Sequence, residues 1–196
     1  MKRCNIIIHS ISGNIYIIAS YLKEKLRERN VDARLYRVDD PDLHIWANQK
    51  DSVNQYYEDI PELSVASEET LLKADMIILG SPSRFGNMTA EMKAFLDSTF
   101  EMSEDRALEG RLFGCFTSCC HSICEGSHAL DSMLYWAQNM SLIHIPYGVR
   151  PELELSNQPV AGIVHLEGKE NLIRPSEQLG AVIEAYADTV AAYLED

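Results

Sequence analysis

Three short segments of the chain combine hydroxyl, glycine, aromatic and thiol residues in ways that could bind a ligand. The first reads Ser10-Ile11-Ser12-Gly13-Asn14-Ile15 and joins an apolar run to an amphipathic one. Two hydroxyls beside the first amides of a helix favour a phosphate group, because that end of the helix dipole is positive. No Lys or Arg lies between residues 4 and 22, so this phosphate cradle contains no cation. A simple helix N-cap is the alternative interpretation.

The second segment, "GSPSRFGN" (80–87), follows another apolar run and contains both Arg84 and Phe85. Backbone amides beside an aromatic side chain suit a planar heteroaromatic ring, so the two segments together predict a mononucleotide cofactor. The chain has neither a G-x-x-x-x-G-K-[ST] nor a G-x-G-x-x-G motif. Nucleoside triphosphate hydrolysis and Rossmann-type dinucleotide binding are therefore disfavoured.

The third segment is rich in cysteine, with the spacing C-x3-C-C-x3-C. The residues concerned are Cys115, Cys119, Cys120 and Cys124, with His121 and His128 nearby. They could form a soft-metal or iron–sulfur site, although the preferred prediction is that no metal is bound. Alternatively, a helix beginning near Ser127 could lower the pKa of Cys120 or Cys124 and create a redox thiol. Cys115 lies within a predicted strand and is expected to pack as a small hydrophobic residue.

Other residues with functional side chains have simpler expected roles. His9 lies at a strand end and His144 within a strand, so both are predicted to be core histidines with satisfied hydrogen bonds. Trp46 and the tyrosines within 44–57 could form a lid or a subunit contact, with ordinary packing as the default. Glu125 is the only acidic residue of the third segment and receives no role.

The composition predicts one globular domain over residues 1–196. The chain is 46% hydrophobic and 24% charged, and its formal net charge is -13. This charge disfavours nucleic acid and anionic membranes as partners. No apolar run approaches the roughly 18 residues of a membrane span, and an odd number of cysteines, five, does not suit a secreted disulfide framework. We therefore expect a cytoplasmic protein with reduced thiols.

The elements that must position the three segments follow from hydrophobic periodicity. Apolar runs predict five strands, at 4–10, 33–38, 75–82, 111–118 and 141–146, with amphipathic helices between most of them. This alternation predicts a three-layer α/β fold with a doubly wound, parallel, five-stranded sheet. In such sheets ligands bind beyond the carboxyl ends of the strands, where segments 10–15, 81–88 and 117–126 all lie.

One stretch of the sequence resembles a known family. "ILGSPSRFGNMTAEMKAFLDST" (78–99) is similar to the signature of the flavodoxin-like WrbA family of NAD(P)H:quinone oxidoreductases. The likeness extends over almost the whole chain, through 10–15, "ALEGRLFG" (107–114), the strand ending at Pro146 and "RPSEQ" (174–178).

This resemblance implies the flavodoxin strand order 2-1-3-4-5, with FMN bound across the carboxyl edge of the sheet. It implies hydride transfer from NAD(P)H through FMN to a quinone-type two-electron acceptor, in a homo-oligomer (dimer or tetramer). The reaction occurs on the flavin, so no side chain is assigned as catalytic. The implied phosphate contacts are Ser10, Ser12, Gly13, Asn14 and Ile15. The implied ring contacts are Pro82, Ser83, Arg84, Phe85, Gly86 and Asn87, with Thr117, Ser118, Cys119 and Cys120 on the far side.

The chain departs from the family pattern at three places. Cys119 to Gly126 replace a loop rich in Gly and Thr, Ser103 replaces a Trp, and Gln138 or Asn139 replaces a His. Two alternative functions therefore stay open. One is a flavodoxin-fold binding or regulatory protein with weakened or lost FMN binding. The other is an FMN electron carrier whose -13 charge directs docking onto a basic protein.

Overall fold

A sheet of parallel strands organises the protein. The computed structural model describes residues 1–47, 56–155, 157–168 and 173–195. The strands are β1 (Arg3–Ile8), β2 (Asp32–Arg37), β3 (Met76–Pro82), β4 (Leu112–Cys119), β5 (Ile143–His144) and β6 (Ile163–Leu166). The helices are α1 (Asn14–Glu28), α2 (Leu43–Ala47), α3 (Glu68–Leu72), α4 (Ala90–Ser98), α5 (Phe100–Glu104), α6 (Ile123–Asn139) and α7 (Glu177–Glu195).

The strand order is β2-β1-β3-β4-β5, as predicted, but the described residues form a sheet of six strands rather than five. β5 pairs with the first two residues of β4, and β6 pairs with residues 116–119 at its other end. The predicted fifth strand, 141–146, therefore forms a strand only at Ile143 and His144. Pro146 cannot continue the ladder because it has no amide hydrogen. β6 takes the place beside the carboxyl end of β4.

Side chains of the central strands alternate between two hydrophobic clusters. Ile6 and Ile8 of β1 pack in the cluster that includes residues of α1 and α7. Ile7 lies in the opposite cluster with residues of α4 and α6. Both faces of the sheet are therefore covered by helices, which confirms the three-layer arrangement.

The helices of the described ranges include no segment long and apolar enough to cross a bilayer.

The hydroxyl of Tyr186 should contribute measurably to the stability of the fold. Tyr186 is fully buried on α7, and its hydroxyl donates to the Ile145 carbonyl at 3.0 Å. Tyr186→Phe should lower the free energy of unfolding by about 1 to 3 kcal/mol, because the carbonyl loses its buried donor. Urea denaturation measures this. Tyr193→Phe, on the same helix but 53% exposed, is the matched control and should change stability by less than about 0.5 kcal/mol. Equal effects of the two substitutions would contradict the assignment.

Candidate functional site

The segment from Ser10 to Ile15 connects the carboxyl end of β1 to α1 and is largely buried. Gly13 has a φ of +93°, a left-handed conformation that favours glycine, and it immediately precedes the first helical residue. The Ser10 hydroxyl accepts a hydrogen bond from the Tyr16 amide at 3.2 Å, so it also caps the first turn of α1. The first amides of a helix lie at the positive end of its dipole, and here they directly follow the two hydroxyls of the segment. The geometry suits an anion.

Arg174 supplies the cation that the segment itself lacks. Its Nη1 donates to the Ser12 carbonyl at 2.5 Å and to Asn14 Oδ1 at 2.9 Å. Sequence reasoning missed this contact and gave Arg174 no role. The signal that could have found it is its place in "RPSEQ", one of the stretches in which the sequence resembles the family.

Tyr56 covers the glycine of the same segment. A Cβ added to Gly13 would lie 2.1 Å from Cδ2 of Tyr56, and the tyrosine ring lies 5.3 Å below the Arg174 guanidinium. The predicted role of this aromatic stretch in packing therefore holds for Tyr56. Residues 48–55 and the Trp46 side chain lie outside the described part of the chain, so the lid or subunit contact stays a prediction.

The segment after β3 forms a tight turn that projects an aromatic ring. Arg84 and Asn87 exchange two backbone hydrogen bonds, of 2.8 and 3.0 Å. Between them Phe85 and Gly86 have φ values of +54° and +75°, as in a type I′ turn. Phe85 is fully exposed. A positive φ is strained for a large side chain, and such strain is concentrated at ligand sites.

Hydrogen bonds hold the ends of β3 and β4 together at the carboxyl edge. The Thr117 hydroxyl donates to the Ser81 carbonyl at 2.7 Å, and the Ser83 amide donates to the Ser118 carbonyl at 2.7 Å. The Ser83 hydroxyl donates to Glu125 at 3.2 Å, which gives this unassigned residue a positioning role. The Ser118 hydroxyl is buried and has no hydrogen-bond partner among the described residues. A ligand at this edge would satisfy it.

The cysteine segment has two kinds of thiol, and all five cysteines of the chain are free. Cys115 packs in the core as predicted. Burial raises the pKa of Cys115 and of Cys119 to about 12, so both are protonated thiols at neutral pH. α6 begins at Ile123, earlier than predicted, and Cys124 in its first turn is exposed with Sγ 3.9 Å from Nε2 of His128.

Within the described part of the chain, the residues that come together as potential metal ligands do not include these cysteines. Among the described residues, three potential ligands converge elsewhere, at His9, Asp40 and Glu91. Nε2 of His144 donates a hydrogen bond to the Ala161 carbonyl at 2.9 Å, as predicted for a satisfied histidine. His9 differs from that prediction, because its Nδ1 is buried without a hydrogen-bond partner in the described structure.

Comparisons with known proteins agree with this arrangement. The model of the NADPH-dependent FMN reductase family matches residues 6–149. An NAD(P)H dehydrogenase (quinone) of Geobacter metallireducens is 30% identical over 175 residues, which cover 86% of each chain. Another protein of that name, from Archaeoglobus fulgidus, is 34% identical over 60% of this chain and 62% of its own. The structure of a flavodoxin, WrbA-like protein from Agrobacterium tumefaciens superimposes with a TM-score of 0.67 at 16% identity, covering 100% and 98% of the two chains.

The chain belongs to the NADPH-dependent FMN reductase family. It is a flavodoxin-fold oxidoreductase that uses FMN with NAD(P)H, as the sequence predicted.

Replacing Gly13 by alanine should weaken FMN binding. The new Cβ would displace the Tyr56 ring from residues 10–15, called the phosphate segment below, so the dissociation constant should rise about tenfold or more. Quenching of flavin fluorescence measures the constant. Gly110→Ala is the matched control, because Gly110 has a similar φ of +78° and open space where its Cβ would lie. Unchanged FMN affinity in the Gly13 variant would show that this segment does not contact the cofactor.

Proposed function

We propose that this protein is an FMN-dependent NAD(P)H:quinone oxidoreductase. The observation that carries the proposal is the phosphate segment, in which Gly13 at the start of α1 lies beside the cation of Arg174. Family membership adds the flavin and the nicotinamide, and the Geobacter metallireducens relative is named for a quinone.

The phosphate of FMN would bind at one end of the carboxyl edge. The early amides of α1 and the hydroxyls of the segment offer donors to an anion. Arg174 adds positive charge from outside the segment and fixes its backbone through the Ser12 carbonyl. The proposed phosphate contacts are Ser10, Ser12, Gly13, Asn14 and Ile15, with Arg174 now added to the set predicted from sequence.

The isoalloxazine ring would lie one strand away. The turn at Phe85 and Gly86 presents backbone amides next to an exposed aromatic ring, and the unpartnered Ser118 hydroxyl faces no other described donor or acceptor. The proposed ring contacts are Pro82, Ser83, Arg84, Phe85, Gly86 and Asn87, with Thr117, Ser118, Cys119 and Cys120 on the far side.

The protein's own contribution to the reaction is positioning. When bound, FMN supplies the two-electron chemistry of hydride transfer. The hydrogen bonds from Ser83 to Ser118 and to Glu125 fix the edge of the ring site before the cofactor arrives. Such preorganisation lowers the cost of binding. Cys119 takes no acid–base part, since burial keeps its thiol protonated.

Five free thiols favour a reducing compartment, so we place the protein in the cytoplasm. The net charge of -13 makes nucleic acid and anionic membranes poor partners. A homo-oligomer is proposed by analogy with the family.

Steady-state kinetics test the activity. Oxidation of NADH or NADPH with benzoquinone as acceptor should depend on added FMN and saturate at the FMN concentration that fills the site. Gly110→Ala should behave as the wild type, whereas Gly13→Ala should need more FMN for the same rate. Absence of flavin-dependent turnover with both nicotinamides would overturn the proposal. Turnover only with an added redox protein would favour the electron carrier instead.

Arg174→Gln should weaken FMN binding through the phosphate. Loss of a charge-assisted contact costs about 1.5 to 3 kcal/mol, or about tenfold or more in the dissociation constant. Riboflavin, which lacks the phosphate, should bind the variant and the wild type equally in the same titration. Arg34→Gln, an exposed arginine of β2, is the control and should leave both affinities unchanged. An equal loss for FMN and riboflavin would mean that Arg174 only supports the fold.

A further inference from the structure

Three side chains from separate elements meet behind the phosphate segment. His9 follows β1 and is 2% exposed, Asp40 follows β2, and Glu91 lies in the first turn of α4. Nε2 of His9 is 3.1 Å from Asp40 Oδ2, and Nδ1 is 3.7 Å from Glu91 Oε2. One ligand atom from each residue lies within 4.8 Å of the other two.

The hydrogen bonds of His9 determine which nitrogen carries the proton. Asp40 Oδ2 lies 3.1 Å from Nε2 of His9, where a carboxylate accepts the ring N–H. Its other oxygen accepts the Asp42 amide at 3.0 Å. Nε2 of His9 therefore carries the proton in the neutral ring, and Nδ1 presents a lone pair. This buried lone pair has no hydrogen-bond partner among the described residues.

A carboxylate oxygen of Glu91, a second potential metal ligand, lies near this lone pair. The 3.7 Å between Nδ1 and Glu91 Oε2 is too long for a hydrogen bond. Two ligands of a tetrahedral ion, each about 2.0 to 2.2 Å from the metal, lie about 3.4 Å apart. The observed separation is close to this value. A metal-bound histidine typically donates its other nitrogen to a carboxylate, as His9 does to Asp40.

An ion can reach the cluster from solvent, and the side chains of the cluster carry a net negative charge. The Glu91 side chain is 32% exposed, which opens the cluster to solvent. Arg37 lines the same small cavity as His9 and Asp40 and offsets the charge of Asp40. The carboxylate of Glu91 remains to attract a cation.

We propose that His9 Nδ1 and Glu91 bind a divalent transition-metal ion, with Asp40 fixing the imidazole tautomer. Nitrogen and carboxylate ligands suit Zn²⁺, Co²⁺ and Mn²⁺, and water completes the coordination. The ion would join the ends of β1 and β2 to α4. By mass action it would stabilise the folded state. This inference does not depend on the flavin.

Metal titration of the full chain tests the site. Isothermal titration calorimetry with Co²⁺ should show one bound equivalent, and Glu91→Gln should weaken it about tenfold or more. Co²⁺ should raise the melting temperature of the wild type and leave that of this variant unchanged. Glu101→Gln removes the same charge from the first turn of α5 and should behave as the wild type.

The exposed Cys124 and His128 require a separate control, because they could also bind Co²⁺. Cys124→Ser should keep the bound equivalent, and the near-ultraviolet absorption of bound Co²⁺ in the wild type should lack the charge-transfer band of a thiolate ligand. Absence of saturable binding would overturn the proposal. So would equal affinity in the wild type and Glu91→Gln, or a thiolate band that disappears in Cys124→Ser.

Discussion

In-register pairing of four parallel strands is the constraint on which the site depends. Gly80 of β3 pairs with Ile8 of β1 on one side and with Phe116 of β4 on the other, and Phe116 pairs in turn with Ile163 of β6. This register brings the carboxyl ends of the strands to one edge. Backbone bonds continue it beyond the strands, from His9 to Gly80 and from Ser83 to Ser118. The register of the sheet therefore fixes where the loops of the site begin.

The same edge collects polar side chains that are nearly inaccessible to solvent. Buried polar residues of this region include Ser10, Asn14, Thr117 and Ser118. Burying such groups costs free energy unless they form hydrogen bonds. Asn14 and Thr117 find partners in Arg174 and the Ser81 carbonyl, whereas the Ser118 hydroxyl has none in the described structure. A region arranged in this way is organised for a ligand more than for stability.

Residue type alone does not decide the chemistry of the thiols and imidazoles. Cys115 and Cys119 have the same side chain as Cys124, yet burial raises the pKa of the first two, and Cys124 is exposed beside His128. His144 is satisfied by the Ala161 carbonyl, whereas His9 lies between two carboxylates with one nitrogen unpartnered. Residues of the same type therefore differ in chemistry here because the fold gives them different neighbours.

The sequence by itself determined the order of the first five strands and the three segments at the ligand edge, since hydrophobic periodicity and helix capping are local properties. The tertiary structure decided what the sequence could not. β6 has four residues, too few for its hydrophobic pattern to distinguish it from a loop. Only the structure shows that it pairs with β4. Arg174 meets Ser12 across 162 residues, and Asp40 meets His9 across 31. Contacts between residues so far apart leave no local pattern, because they form only when the strands pair.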